Sequence, residues 1–305
     1  MEETQFIRNA LITAYQRAYH AVHDAPKIFD DFLAFDFLTE EERASFEKFF
    51  LTSLQSYDPV LYASFPDQAA IMAWMMQTSP GLPITLSRAR YAEDILEMAV
   101  RQGVQQYIIL GAGMDTFAFR RADMLAQIQV FELDHPATQA FKRRRLSELG
   151  WEQPKNLHFV PVDFTKDSLA ATLKCSSYTQ KTPSFFSWLG VTYYLPREVV
   201  FETLRPIADI TPAGSTVIFD YLDTDAFVPG RAAKRVLGML EVARHLGTPM
   251  KLGFDPSTLA ADLASLGFNL KENLSPSDIQ ERYFQGRTDD YHALEHAYIV
   301  WAVVE

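Results

Sequence analysis

Two different periods run along this chain. Up to about residue 103 the apolar positions recur every three or four residues: Ile7, Leu11, Ile12 and Tyr15; then Phe46, Phe49, Phe50 and Leu54; then Ile71, Trp74 and Met75. That spacing predicts helices throughout, punctuated by Pro59, Pro66, Pro80 and Pro83. The last of them is expected from Ser87, as N-cap, to Gln102 against Gly103. From Gln106 onward, short apolar runs alternate with amphipathic stretches, and strands are expected at 106–111, 128–133, 157–162, 184–189, 215–221, 267–273 and 296–304. Strands alternating with helices imply βαβ units and a mainly parallel sheet, hence a doubly wound α/β fold of seven strands. Between 222 and 266, a loop at 223–229 and a helix at 231–246 read as an insertion covering the sheet. The expected organisation is a helical cap or lid over 1–103 and an α/β domain over 104–305.

The first strand carries the chemistry. Tyr107-Ile108-Ile109-Leu110 runs without alternation, as a buried parallel strand does, into Gly111-Ala112-Gly113-Met114-Asp115-Thr116. Glycines at a strand's carboxyl end let the backbone turn tightly where a ligand approaches. A dinucleotide site would ask for a third glycine where Thr116 stands, and Asp115 would repel a pyrophosphate at the helix start. A carboxylate there suits a cationic ammonium or sulfonium, or nucleoside hydroxyls. S-adenosyl-L-methionine offers all of these and no phosphate. The second strand ends in Glu132-Leu133-Asp134-His135-Pro136, where an acid accepts from ribose hydroxyls. Glu132 and Asp134 point to the same side, so either reaches the ribose while the other caps the next helix. After the third strand, Asp163 suits an adenine amino group and Phe164 its ring. Asp115 has a second reading as a carboxylate satisfying backbone donors at the helix start.

Charge and composition narrow the partners. A net charge of −11, from 28 basic and 39 acidic residues, argues against nucleic acid or an anionic membrane. The basic run Lys142-Arg143-Arg144-Arg145 is expected as a solvated helix face. The single cysteine, Cys175, excludes an intramolecular disulfide and a cysteine-rich metal site. Met1-Glu2-Glu3 lacks a basic signal region, and no apolar run approaches the roughly 20 residues of a membrane span, so a cytoplasmic protein is expected.

The motifs resemble those of the leucine carboxyl methyltransferase-like group of class I S-adenosylmethionine-dependent methyltransferases. The resemblance rests on the 110–116 motif with Arg120 following, on Phe131–Pro136 with Lys142 after it, and on Val162-Asp163-Phe164. It also includes Ser87-Arg88-Ala89-Arg90-Tyr91 and Trp188-Leu189-Gly190-Val191-Thr192-Tyr193-Tyr194-Leu195-Pro196. It implies a Rossmann-like methyltransferase domain over 104–305, with Gly111, Ala112, Gly113, Asp134, Asp163 and Phe164 around the nucleoside. Arg88 would pair with the methionine carboxylate, as a planar guanidinium does, and Arg17 resembles a basic residue used at the same end. The family often carries a glutamate where this chain has Leu189, so the ammonium contact departs from the pattern.

Methyl transfer from a sulfonium asks for positioning. A carboxylate acceptor needs no base, whereas a hydroxyl benefits from one. Candidate bases are His20, His23 and His292, with Tyr193, Tyr194 and Tyr221 at strand ends; a lone histidine is more often structural. The segment 291–296 has two histidines and a glutamate without a convincing metal-ligand spacing, and no metal is expected. Aromatic residues at 13 % and the helical first third suggest a lid over an apolar or aromatic small molecule. The expected function is therefore O-methylation of a small molecule. A cofactor-binding relative without catalysis, motivated by Leu189, is an alternative, and an NAD-dependent oxidoreductase a weaker one.

Overall fold

The runs without alternation become the centre of one sheet. In the computed structural model, which describes residues 2–305 with side chains from Gln5 onward, every residue of β1 (Gln106–Leu110) and β4 (Ser184–Trp188) is buried. Met1, and the side chains of Glu2 and Glu3 read above for a signal sequence, lie outside the described residues. The remaining strands are β2 (Gln129–Asp134), β3 (Leu157–Pro161), β5 (Thr216–Asp223), β6 (Gly253–Phe254), β7 (Phe268–Leu274) and β8 (Ala297–Val304). The order is β3-β2-β1-β4-β5-β8-β7, with β6 on the β4 side of β5 beyond the end of β4. β1 to β5 pair in parallel, and β8 runs antiparallel to β5 and β7. All seven expected strands are present. The eighth, β6, is two residues long and leaves no periodic signal.

Five helices precede the sheet: α1 (Glu2–His23), α2 (Glu40–Tyr57), α3 (Pro59–Ser64), α4 (Gln68–Thr78) and α5 (Gly81–Arg101). Short helices α6 (Phe117–Arg120) and α7 (Ala122–Leu125) follow β1, and α8 (Pro136–Glu148) follows β2. Further along come α9 (Leu169–Lys174), α10 (Arg197–Ile210), α11 (Lys234–His245), α12 (Leu259–Ala264) and α13 (Pro276–Ile279). One apolar cluster joins α1, α5 and one sheet face, with Tyr15, Leu86 and Ile109 among its members. The opposite face is closed by α9, α10 and α12 over Phe131, Phe186 and Trp188. Each large apolar side chain buried this way stabilises by about 1.5–3 kcal/mol.

Three expectations fail for identifiable reasons. Ser87 is not an N-cap: α5 begins at Gly81, and the Ser87 hydroxyl donates to the Pro83 carbonyl at 2.8 Å. Pro83 lies in the helix's first turn, where its missing N–H has no intrahelical partner to lose. The basic run is only half a solvated face, since Lys142 and Arg145 are buried against Glu132 and Glu42. Residues 223–229 are not plain loop: β5 extends to Asp223, whose carboxylate caps a 3-10 turn at Thr224–Phe227.

Candidate functional site

A cavity of about 280 Å³ opens beyond the carboxyl ends of β1, β2, β3 and β4, under α1. It sits where strand order reverses, between β1 and β4, the ligand position of open α/β sheets. Gly111 and Gly113 line it with φ of 73° and 50°. A Cβ on Gly111 would stand 2.5 Å from Val191 Cγ2, so this position admits no side chain without movement. The turn is tied to β2 almost atom by atom: Gly111 N–H and Ala112 N–H donate to the Leu133 carbonyl at 2.8 and 3.1 Å, and Gly113 N–H donates to Asp134 Oδ2.

Asp134, Asp163 and Phe164 converge on this cavity, as do Asp115, Leu189 and Arg88. Asp134 also accepts from His135 N–H at 2.6 Å, and its pKa is raised because burial outweighs those donors. Asp163 is the opposite case. Burial raises it, but the Lys166 ammonium and the Thr165 hydroxyl and N–H bring it down to about 2, a carboxylate at any physiological pH. Glu132, the rival for the ribose, is absent from the cavity wall. It is fully buried because the Lys142 ammonium from α8 takes its carboxylate, Nζ to Oε2 at 2.6 Å, and the same ammonium bonds the Asp115 carbonyl of the glycine turn. Asp115 satisfies the helix start, accepting from Phe117 N–H at 2.7 Å, and borders the cavity as well.

Arg88, on α5, does not stand free. Its Nη1 donates to Asp220 Oδ2 at 2.8 Å and to the Tyr193 hydroxyl at 2.9 Å. The charge pair raises the guanidinium's pKa further, although burial alone would lower it. Asp220 Oδ1 accepts from Gly190 N–H at 2.6 Å, so the residue after Leu189 is pinned to β5. The Arg88 guanidinium packs so closely on Gly190 that a Cβ there would meet Nη2 at 2.4 Å. Arg17 donates to Asp31 at 2.8 Å and to the Met114 carbonyl at 2.8 Å, fastening α1 to the glycine turn.

The structure separates most of the candidate bases from the cavity. His20 is fully buried, with Nδ1 on Asp24 and Nε2 accepting from Ile28 N–H, both at 2.8 Å. His292 is exposed. Tyr221 lies on the other sheet face, its hydroxyl on Asn273. Tyr193 and Tyr194 do line the cavity; burial pushes the Tyr193 phenol up to about 12 despite Arg88 beside it. Sequence reasoning missed Asp31 and Glu93, which line the cavity, Glu93 paired with Arg120, and Asp220, which holds Arg88. For Asp220 a signal existed: one acid inside the apolar run of β5 demands a buried cation, and Arg88 was available.

Glycine turn, acids ending β2 and β3, and a guanidinium opposite the fourth strand end fit S-adenosylmethionine. Thr116, in place of a phosphate-binding glycine, donates its hydroxyl to Asp31 instead. Fold and site thus define a Rossmann-like S-adenosylmethionine-dependent methyltransferase. Residues 10–208 match the model of the leucine carboxyl methyltransferase family, and the chain belongs to that family. It is 36 % identical over 304 residues, 99 % of each chain, to YktD of Bacillus subtilis (strain 168), whose name places it among S-adenosyl-L-methionine-dependent methyltransferases. A similarly named protein of Mycolicibacterium smegmatis is 32 % identical over 165 residues, 54 % of this chain and 53 % of that one. Among solved structures, a DUF574 family protein from Streptomyces avermitilis shares the fold, with a TM-score of 0.55 at 12 % identity, covering 96 % of this chain and 97 % of that chain. The cofactor is S-adenosylmethionine. Among the described residues, no helix is long and apolar enough to cross a membrane.

Proposed function

We propose that this methyltransferase transfers its methyl group to an oxygen of a small organic acid, a carboxylate in preference to a hydroxyl. The observation that carries the reading is that, among the described residues, the groups on the cavity wall that could take a proton are engaged elsewhere: Asp31 and Glu93 are paired with Arg17 and Arg120. The histidine that borders the cavity, His135, sits at the nucleoside end, its Nδ1 accepting from Ala137 N–H and its ring facing Phe6. Tyr193, held neutral by burial and bonded to Arg88, is a poor proton acceptor at neutral pH. A carboxylate needs neither. The family's name, a carboxyl methyltransferase, points the same way.

In this reading Asp134, fixed by Gly113 N–H, and Asp163 hold the nucleoside, Phe164 packs on the adenine, and Arg88 takes the methionine carboxylate. Asp115 faces the ammonium that the fourth strand, with Leu189, does not meet. The cofactor supplies a methyl on a sulfonium centre, open to in-line displacement. The chain's part is to hold the acceptor oxygen in line and exclude water, which is worth about 7–11 kcal/mol for a well-oriented pair. Phe6 and Phe29 with Tyr193 and Tyr194 give the cavity wall an aromatic character suited to an aryl or apolar acid. The protein is to be incubated with S-adenosylmethionine and matched panels of aromatic acids, phenols and amines, with products followed by mass spectrometry. Base-labile methyl esters are expected. Methylation confined to amines would overturn the proposal, and turnover confined to phenols would overturn the preference for carboxylates.

A further inference from the structure

Behind the glycine turn lies a buried ion pair that touches no ligand position. Lys142 on α8 and Glu132 on β2 are each about 1 % exposed, with Nζ 2.6 Å from Oε2. The same ammonium donates to the Asp115 carbonyl at 2.6 Å. It therefore completes the series of ties along the turn, in which Leu133 and Asp134 hold residues 111 to 113 and Lys142 holds residue 115. We propose that the Lys142–Glu132 pair is a positioning device for cofactor binding: it fixes the carboxyl half of the glycine turn, and so holds the Asp115 carboxylate at the cavity beside Asp134, which Gly113 N–H fixes from the other half.

Three observations carry this. A buried ion pair is on average no more stabilising than well-packed apolar residues, so its stability value alone does not account for one here; fixing a unique geometry is the better-attested use. The second is connectivity. Lys142 bonds a main-chain carbonyl of the turn itself, and the next side chain along, Asp115, borders the cavity. The third is that the pair is incompletely satisfied: Glu132 Oε1 is buried without a hydrogen-bond partner, as is Thr138 Oγ1 one helical turn before Lys142. Such a carboxylate is poised to take a proton. The charged groups facing Glu132 are Lys142 from α8, Asp115 from the turn and Asp134 on its own strand; its ladder neighbours, Ile109 and Phe159, are apolar. Burial, opposed by Lys142 and reinforced by Asp115 and Asp134, pushes the Glu132 carboxyl up to about 7.

Stability and affinity then respond to pH in opposite directions. A carboxyl raised in the folded state favours folding when protonated, so its contribution to stability is lost as pH rises through about 7. Protonation of Glu132 removes its charge from the pair, so cofactor affinity rises with pH over the same interval.

The inference rests on the nucleoside lying at the glycine turn, and the test separates the two. Dissociation constants for S-adenosylhomocysteine are to be measured by calorimetry at pH 6 and pH 8, with melting curves alongside. Wild type is expected to bind several-fold more weakly at pH 6, and Glu132→Gln to bind equally at both. Lys142→Met is expected to weaken binding roughly ten- to hundredfold, the range for a lost charge-assisted hydrogen bond. Because that variant leaves Glu132 buried alone, the double variant Glu132→Leu/Lys142→Met serves as the folded control. It is expected to melt near wild type and still bind weakly, without pH dependence. Wild-type affinity in the double variant, or a wild-type pH profile in Glu132→Gln, would overturn the positioning role. If Asp134→Ala also bound like wild type, the nucleoside placement itself would be wrong; if Asp134→Ala weakened binding while the double variant did not, only the positioning role would fall.

Discussion

Replacing Gly111 by alanine tests the geometry of the turn with two separable costs. The first is conformational: φ is 73° at this residue, and the left-handed region costs an L-residue roughly 1–2 kcal/mol. The second is steric, because the new Cβ would lie 2.5 Å from Val191 Cγ2. Val191 is β-branched and cannot swing away freely, so overpacking adds about 1–3 kcal/mol. The sum is about 2–5 kcal/mol. With an unfolding entropy of about 2.1 cal/mol/K per residue over 305 residues, the melting temperature should fall by about 3–8 °C. Val191→Ala removes the obstacle but not the strain. In a double-mutant cycle followed by chemical denaturation, the pair should therefore be more stable than the sum of the single changes by about 1–3 kcal/mol. Additivity to within about 0.5 kcal/mol would refute the close approach of the two residues, and with it the packing of the turn against the segment after β4.

Three other outcomes are expected. Asp134→Ala and Asp163→Ala should each weaken S-adenosylhomocysteine binding by about 1.5–3 kcal/mol in calorimetry; Asp134→Ala should also destabilise the free protein by about 1–3 kcal/mol, because it leaves Gly113 N–H and His135 N–H without their acceptor. His20→Ala should destabilise by about 1–3 kcal/mol, since it leaves Asp24 and Ile28 N–H without their buried partner, yet leave cofactor affinity intact; a selective loss of affinity would return His20 to the site. At about 100 times its dissociation constant, S-adenosylhomocysteine should stabilise the fold by about 2.7 kcal/mol, while NAD leaves the melting curve unmoved.

What the sequence disclosed depended on distance along the chain. Strands buried on both faces announce themselves as apolar runs, so β1 and β4 were legible residue by residue, as were the acids that end β2 and β3. The glycine turn was legible because backbone geometry is written in local sequence. Pairings were not. Arg88 and Asp220 are 132 positions apart, and nothing local distinguishes a cation aimed at a ligand from one that also shares a buried acid. Lys142 sat in a basic run that resembles a solvated face, and only the register of α8 over β2 shows it to be buried. His20 looked available because burial and both of its hydrogen bonds arise from the chain folding back at Asp24 and Ile28. Glu132 and Asp134 were indistinguishable by alternation alone. The packing of α8 against β2 separates them, sending Glu132 to Lys142 and leaving Asp134 at the cavity.

The central claim is that the strand ends around Gly111, Asp134 and Asp163 hold the cofactor's nucleoside. A crystal structure with S-adenosylhomocysteine tests it most directly. The account predicts ribose hydroxyls hydrogen-bonded to Asp134, the adenine beside Asp163 and Phe164, and the amino-acid end directed toward Arg88. A nucleoside bound elsewhere, or one whose ribose is held by Glu132 while Asp134 stays with Gly113 and His135 alone, would contradict it.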